Sequence, residues 1–157
     1  MREIKDRLSA ELKSLEHEFR VVLPKEIGTA VAMGDLRENA EYHAALERQR
    51  FVKARIGELR ERLASLNSIN LNQVPKDKVG LGSSVTLDDL DTGDEVSYEL
   101  VVPEVADLAK GLISIASPIG KSLLGLGEGE EVTIEIPSGR KRFEVVELRT
   151  IHDKKAD

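Results

Sequence analysis

Two carboxylates, Asp35 and Glu38, stand in the run 34–42, between two long stretches with helical periodicity. The chain must reverse direction there, so both side chains are expected at the far end of a helical hairpin, away from any core. Carboxylates are common ligands of Mg²⁺, which is often bound by only one or two of them together with water molecules. Two carboxylates alone would make an incomplete site, which a second molecule would have to complete.

The same residues also admit a purely structural interpretation. Gly34 suits the left-handed position that ends a helix, and Asp35 can be the N-cap of the next helix. Glu38, three residues later, would complete a variant of the capping box, and the helix dipole favours both carboxylates. Such caps are common, so spacing alone favours this interpretation, although a cap can still leave one carboxylate oxygen free.

Other kinds of site find little support in the sequence. The histidines His17, His43 and His152 are scattered, and His43 with Glu47 is more typical of a surface hydrogen bond than of a metal site. The glycine-rich stretch 125–130 lacks the lysine and serine of a phosphate-binding loop, and its glutamates would repel phosphate. Cysteine is absent and no Gly-x-Ser-x-Gly motif occurs, so we expect neither disulfides nor covalent catalysis.

The element that carries the two carboxylates is predicted to be an antiparallel helical hairpin. In its second arm, eight positions alternate in spacing by three and four residues, which is typical of a coiled coil: Tyr42, Ala45, Gln49, Val52, Ile56, Leu59, Leu63 and Leu66. The first arm shows the same spacing at Leu8, Leu12, Leu15, Phe19 and Val22. We expect a kink or short break at Pro24, because proline removes a helical hydrogen bond. The pattern resumes weakly at Ile27, Ala30 and Val31.

The sequence changes character after about residue 70. Residues 1–70 are interpreted as a stalk, residues 71–82 as a linker and residues 83–152 as a small globular domain. Beyond the linker the period moves towards two, and strands are predicted at 85–87, 96–101, 113–115, 132–136 and 142–146. Pro118 can open a short helix that ends at Gly125, and the last five residues are expected to be frayed. The predicted fold class is therefore α+β, with a mostly antiparallel sheet.

Composition excludes several classes of protein. The chain of 157 residues is 40% hydrophobic and 33% charged, as in folded proteins, and no apolar run is long enough to span a membrane. No signal peptide is visible, so we expect a cytoplasmic protein without a membrane partner. The net charge of −6 argues against independent binding to nucleic acid. Residues 1–66 carry 13 basic and 12 acidic side chains, whereas the remainder carries 10 and 17, which supports two parts of different character.

Two stretches resemble a known family. Residues 34–45, Gly-Asp-Leu-Arg-Glu-Asn-Ala-Glu-Tyr-His-Ala-Ala, closely resemble the tip signature of the bacterial transcript cleavage and elongation factors GreA and GreB. Residues 112–125 are similar to the family's C-terminal Ser-Pro loop and short helix. A stalk followed by a small domain matches the family's order of parts, and the limited basic charge is closer to the GreA branch. The chain starts a few residues later than the family pattern, so we expect that an N-terminal segment is missing.

This resemblance implies a fold, a partner and a role. The C-terminal domain would have the FKBP-like fold and dock on RNA polymerase at the rim of its secondary channel, which the stalk would enter. Asp35 and Glu38 would help to hold the second Mg²⁺ there and orient the attacking water beside the nascent RNA 3′ end of a backtracked complex. The protein would not itself be an enzyme, since it stimulates cleavage by the polymerase. An intramolecular hairpin also predicts a monomer.

By the same resemblance, Ser117, Pro118 and Ile119 would contact the polymerase. Alternatively, Pro118 only starts a helix and Ile119 belongs to the core. Leu36 and Tyr42 would pack the tip, although Tyr42 can equally be the first residue of the coiled-coil seam. In the family a basic patch on the stalk contacts RNA, and the candidates here, which can equally form a solvated charged face, are Arg48, Arg50, Lys53 and Arg55.

Three other functions stay open at this point. A channel-binding factor could regulate or inhibit the polymerase without cleavage, but family relatives of that kind differ at the tip, and this chain keeps both carboxylates. Peptidyl-prolyl isomerase activity would need an apolar, typically aromatic-lined pocket, and the aromatic residues beyond position 66 are only Tyr98 and Phe143. A coiled-coil adaptor that dimerises through the seam would use the acidic tip only as a cap.

Overall fold

The computed structural model describes the backbone of residues 1–156 and the side chains of residues 1–154. These residues form two compact units, Met1–Ile69 and a second unit that begins at Asn70. The predicted α+β fold class is confirmed, because long helices precede a five-stranded, mostly antiparallel sheet. Within the described residues, no helix has both the length and the apolar character needed to cross a membrane.

The first unit, called the stalk below, is a helical hairpin. Helices α1 (Arg2–His17) and α2 (Leu23–Ala32) both pack against α3 (Ala40–Asn67), which follows the loop 33–39. The predicted seam of α3 is confirmed. Five of its eight positions are buried and the other three, Tyr42, Gln49 and Leu63, are half-buried.

A π-helical turn, Glu18–Val22, joins α1 to α2, so the helix does not break at Pro24, and its irregular turn lies just before the proline. The chain stays helical because the N–H of Leu23 donates to the carbonyl of Glu18, five residues back, and not four. Each such turn inserts one extra residue and shifts the phase of the seam. Val22, predicted on the seam, is therefore 36% exposed, whereas Leu23 is only 1% exposed.

The shifted phase persists through α2. Ala30 is buried and Ile27 is half-buried, but Val31, expected on the same face, is exposed. Leu23 forms a small core with Val52 and Ile56 of α3, which fixes the two arms of the hairpin against each other. This core lies between the loop 33–39 and the far end of the stalk.

The second unit contains one five-stranded sheet with the order β3-β2-β1-β5-β4. Neighbouring strands are antiparallel except for β2 and β3, which are parallel. The strands are β1 (Ser84–Asp89), β2 (Glu95–Val101), β3 (Leu112–Ser114), β4 (Glu131–Ile136) and β5 (Gly139–Arg149).

Two short helices complete the second unit. Helix α4 (Pro118–Leu123) is the predicted helix, and Gly125 follows it with a φ of +86°. Helix α5 (Ile151–Ala156) occupies the tail that we expected to be frayed, so that prediction is wrong for residues 153–156. Residue 157 lies outside the described residues.

The core of the second unit includes a residue from the segment interpreted as a linker. Val79 is 2% exposed and packs in the same cluster as Leu87 and Leu100. Its N–H donates to the carbonyl of Leu126, and its carbonyl accepts from the N–H of Gly125. Residues 71–82 thus contribute to the fold of the second unit.

Candidate functional site

The loop 33–39 forms the tip of the hairpin and begins where α2 ends. Gly34 has a φ of +124°, in the region that favours glycine, as the sequence predicted. No atom lies within 4 Å of the position that a Cβ would take there, so the backbone conformation, and not crowding, requires glycine. Residues 33–38 are all exposed.

The N-cap of α3 is Asn39, so the predicted capping box of Asp35 and Glu38 is wrong. The Oδ1 of Asn39 accepts a hydrogen bond of 3.0 Å from the N–H of Tyr42, and α3 begins at Ala40. Asp35 accepts a 2.9 Å hydrogen bond from the N–H of Arg37, which makes a local turn outside the helix. Among the described residues, the Glu38 carboxylate has no hydrogen-bond or ion-pair partner.

The structure brings the two carboxylates together. Asp35 and Glu38 line one shallow depression of about 400 Å³, which Met33, Asn39 and Glu41 also line. Glu41 is a third carboxylate that the sequence analysis did not single out, although it lies in the first turn of α3. No set of three or more His, Cys, Asp or Glu side chains among the described residues is arranged to hold a metal ion.

The side chains expected to pack the tip behave differently from each other. Leu36 is 42% exposed, whereas Tyr42 is half-buried at the first seam position of α3. The rings of Tyr42 and His43 meet edge to face, with 5.7 Å between their centroids. The apolar surface at the tip thus comes from Leu36 and from Met33, which is 62% exposed.

Ion pairs join the two arms along the flanks of the seam. Arg48 donates two hydrogen bonds, of 2.6 and 2.8 Å, to the Glu18 carboxylate. Arg55 donates to both oxygens of Glu11, at 2.9 and 3.2 Å. Such two-point contacts between guanidinium and carboxylate favour one relative position of the arms. Two of the four candidates for RNA contact are therefore engaged within the stalk.

These contacts change the acidity of the two glutamates. The hydrogen bonds from Arg48 hold the pKa of the Glu18 carboxyl below its ordinary value. The hydrogen bonds from Arg55 lower the pKa of Glu11 in the same way. In both cases the cause is stabilisation of the charged form by a neighbouring cation, which outweighs the opposing effect of burial.

The other two candidates for RNA contact, Arg50 and Lys53, are exposed. Lys53 lines a groove of about 380 Å³ beside the π-helical turn, together with Arg20 and Arg60. Arg60 also donates a 2.9 Å hydrogen bond to Glu16 of α1. Cations thus line this groove from both arms, and the sequence analysis missed Arg20 and Arg60 because they lie far apart along the chain.

In the second unit, Ser117 is the N-cap of α4. Its Oγ accepts a 3.1 Å hydrogen bond from the N–H of Gly120 and donates to the carbonyl of Ser114 at 2.7 Å. A Cβ on residue 120 would collide with that carbonyl, so glycine is required by close approach. Pro118 occupies the first helical turn and is exposed, while Ile119 is half-buried and packs on the core of the sheet.

An apolar groove of about 380 Å³ runs past the start of α4. Its lining includes Ser117, Pro118 and Ile119, together with Leu108, Ile136 and Pro137. Leu108 is 68% exposed, and sequence reasoning missed it because it lies in a short turn without periodicity. Ile119 is therefore compatible both with a contact to a partner and with a place in the core, since it lines the groove and also packs on the core.

Comparison with known proteins gives the same family for both units. Residues 2–67 match the model of the N-terminal region of transcription elongation factors, and residues 74–150 match the model of the C-terminal region of GreA/GreB transcription elongation factors.

Individual relatives cover most of the chain. Transcription elongation factor GreA of Helicobacter hepaticus is 47% identical over 91% of this chain and 88% of its own length. The GreA of Desulfotalea psychrophila is 45% identical over 92% and 89%. Among solved structures, GreA factor homolog 1 (Gfh1) of Thermus thermophilus is 28% identical with a TM-score of 0.43, and the match covers 92% of this chain and 94% of that one. On the two family models and the extent of the identity, the chain belongs to the GreA/GreB family of transcription elongation factors.

Proposed function

We propose that this protein binds RNA polymerase, inserts its stalk into the secondary channel and stimulates the polymerase's own cleavage of backtracked RNA. Asp35 and Glu38 would enter the polymerase active site and help to hold a second Mg²⁺. Cleavage leaves a new RNA 3′ end in register with the active site, so elongation can resume. The protein by itself would have no turnover.

The observation that carries this proposal is the state of the two tip carboxylates. Both are exposed, both line one depression, and neither serves as the cap of α3, because Asn39 does. Glu38 has no polar partner among the described residues, and Asp35 makes one local hydrogen bond. The negative charge at the tip is thus free to act on another molecule.

The donor set fits Mg²⁺ as a partial ligand sphere. Mg²⁺ prefers oxygen ligands and commonly takes one or two carboxylates with water and phosphate oxygens. Asp35 and Glu38 supply two carboxylates, from a depression open to solvent. In a two-metal site, a bound Mg²⁺ stabilises the attacking and leaving oxygens of a phosphodiester. The chain's own residues would contribute charge and orientation, and the polymerase would supply the remaining ligands.

The stalk is suited to deliver this charge into a channel. Helix α3 has 28 residues and would span roughly 42 Å at 1.5 Å per residue. A buried seam and ion pairs between its arms hold the hairpin, so little conformational entropy would be lost on insertion.

The apolar groove at α4 supports the proposed docking of the second unit on the polymerase. The groove is lined by exposed Leu108 and Pro118 and by half-buried Ile119, which offer apolar area that a partner can bury. Changing Ile119 to Asp should abolish polymerase binding. Because Ile119 also packs on the core, Leu108→Asp is the better variant, since its side chain is exposed and the sheet should stay folded.

The test is transcript cleavage in stalled, backtracked complexes of the cognate polymerase, with the wild type and the double variant Asp35→Asn/Glu38→Gln. We expect the wild type to release a short 3′ RNA fragment, and the double variant to bind with similar affinity without stimulating release. Asn and Gln preserve size and hydrogen bonding, so the loss would report charge.

Glu47→Gln is the matched control, since Glu47 is an exposed carboxylate of α3 outside the depression at the tip. It should cleave like the wild type. If the wild type binds without stimulating cleavage, the protein instead regulates or inhibits the polymerase from the channel. If the double variant cleaves as fast as the wild type, the role of the tip carboxylates is refuted.

A further inference from the structure

We propose that Asn39 and His43 are positioning residues that hold the loop 33–39 so that Asp35 and Glu38 keep one fixed geometry. The two side chains connect the loop to both arms of the hairpin. This inference rests on the proposed function for its consequence in cleavage, but the clamp itself can be measured on the isolated protein.

Asn39 bridges the two helices with a single amide group. Its Nδ2 donates a 2.7 Å hydrogen bond to the carbonyl of Ala30 in the last turn of α2. Its Oδ1 accepts the 3.0 Å hydrogen bond from the N–H of Tyr42 in the first turn of α3. The carbonyl can only accept and the N–H can only donate, so these partners also fix the orientation of the amide.

This position requires the side-chain amide of asparagine and not just any N-cap residue. Serine, threonine, aspartate and asparagine can all cap a helix by accepting from its first turn. Only the amide carries a donor and an acceptor on separate atoms that can face α2 and α3 at once. The carbonyl of Ala30 also accepts a 3.1 Å hydrogen bond from the N–H of Met33 at the end of α2, so the Asn39 amide is a second donor to this carbonyl.

His43 secures the opposite part of the loop. Its Nε2 donates a 3.0 Å hydrogen bond to the carbonyl of Arg37, which lies between the two carboxylates. The N–H of the same Arg37 donates to Asp35. One side chain of α3 therefore reaches, through Arg37, the segment that carries both acidic groups.

Little else restrains this segment. Residues 33–38 are exposed, and the backbone hydrogen bonds of Met33 and Gly34 run back to α2, before the carboxylates. An exposed loop with few contacts samples several conformations. A displacement of about 1 Å in a group that takes part in catalysis can cost on the order of 100-fold in rate, so two fixed points matter.

The test uses variants that remove one function of each side chain. Asn39→Ser keeps the helix cap but cannot reach Ala30 from the same position. His43→Ala removes the donor to Arg37, and His43→Gln restores an N–H donor of similar reach. Glu47→Gln, which changes an exposed side chain of α3 outside these contacts, is the matched control.

Two measurements are made on each variant. Backbone ¹⁵N relaxation of residues 35–38 in the isolated protein reports order on the picosecond to nanosecond timescale. We expect order parameters of about 0.8 in the wild type and below about 0.6 in Asn39→Ser and His43→Ala, with His43→Gln restored. The cleavage rate at saturating factor should fall about ten-fold in the first two variants and recover in His43→Gln, while polymerase affinity stays unchanged and the thermal midpoint falls by a few degrees at most.

Unchanged order parameters in Asn39→Ser and His43→Ala would overturn the clamp. If the loop becomes mobile in these variants but the cleavage rate at saturating factor stays at the wild-type value, the clamp does not position the carboxylates. Failure of the wild type to stimulate cleavage would refute the proposed function and the consequence for cleavage, while the relaxation data would still decide whether the clamp exists.

Discussion

The carboxylates of the stalk and those of its tip differ in what binds them. Glu11, Glu16 and Glu18 each accept hydrogen bonds from an arginine of α3, on the opposite arm. Asp35 bonds only to the backbone two residues away, and Glu38 has no polar partner in the described part of the chain. The same residue types thus hold the arms together in one region and stay available in the other.

This difference shows how a small protein can keep carboxylates available to another molecule on an open surface, without a deep pocket to hold them. Along the stalk, the cation that stabilises each carboxylate also lowers its capacity to bind anything else. At the tip, Asn39 caps α3 and bonds to α2, and His43 bonds to the backbone of the loop, so neither contact uses a carboxylate. The carboxylates of Asp35 and Glu38 are therefore not needed for the fold.

The largest effect is expected in the core that holds the arms. Leu23→Ala should lower the free energy of unfolding by about 2–5 kcal/mol, because Leu23 is fully buried beside Val52 and Ile56. Val22→Ala should change it by less than about 0.5 kcal/mol, because the π-helical turn places Val22 outside the seam. Urea denaturation followed by helical circular dichroism measures both, and equal losses would refute the shifted phase.

The second-largest effect is expected on the cleavage rate, which should depend on a tip carboxylate but not on a stalk carboxylate. Glu38→Gln should lower the saturating cleavage rate about 100-fold, as expected when a group that stabilises the transition state is lost. Glu18→Gln makes the same chemical change on the stalk and should leave that rate within about two-fold, because the site is distant. Single-turnover cleavage at saturating factor measures both. Similar losses of cleavage rate in the two variants would contradict the proposed difference between tip and stalk carboxylates.

A smaller effect is expected from the ion pairs themselves. Arg48→Ala and Arg55→Ala should lower the thermal midpoint by a few degrees at most, because partly exposed pairs stabilise proteins weakly. Arg50→Ala, which changes an exposed side chain of the same helix, should have no such effect. Melting curves at low and high salt provide the measurement, and the difference should shrink in high salt. A difference that does not depend on salt would point to lost packing and not to charge.

The smallest effect concerns pH. The pKa values of Glu11 and Glu18 are lowered in the folded protein, so their pairs contribute stability above the ordinary pKa of glutamate. That contribution is lost as the pH falls below about 5 and through the lowered pKa values, because the unfolded chain binds protons first. Thermal midpoints of the wild type and of the Arg48→Ala/Arg55→Ala variant should therefore converge as the pH falls from 7 to 3. Parallel curves would contradict this linkage.

Much of the fold follows from the sequence because its signals are local. The heptad spacing of α3 depends only on side chains three and four residues apart, and the structure confirms the whole seam. The alternation in the second unit likewise predicts strands near those observed, and proline and glycine mark the ends of α4. The tip carboxylates could also be singled out, because an acidic run between two helical patterns has to lie at a reversal of the chain.

Other features depend on contacts that local patterns do not contain. Asp35 and Asn39 are both good N-caps, and Asn39 is the cap in the structure, where it can also bridge to Ala30 on the other arm. Val22 and Leu23 are both apolar, and the π-helical turn buries the second. Val79 lies in the segment that the sequence suggested was a linker, but in the structure it packs into the core of the second unit.

Local patterns in the sequence are therefore enough to predict the helical hairpin, the α+β class, the seam of α3 and the position of Asp35 and Glu38 at a chain reversal. Contacts between distant residues establish which residue caps α3, which face of α2 is buried, and which arginines of the stalk pair with glutamates. The physical reason is range. Periodicity and turn chemistry act over a few residues, whereas the bonds from Arg55 to Glu11 and from Asn39 to Ala30 form only when distant parts of the chain meet.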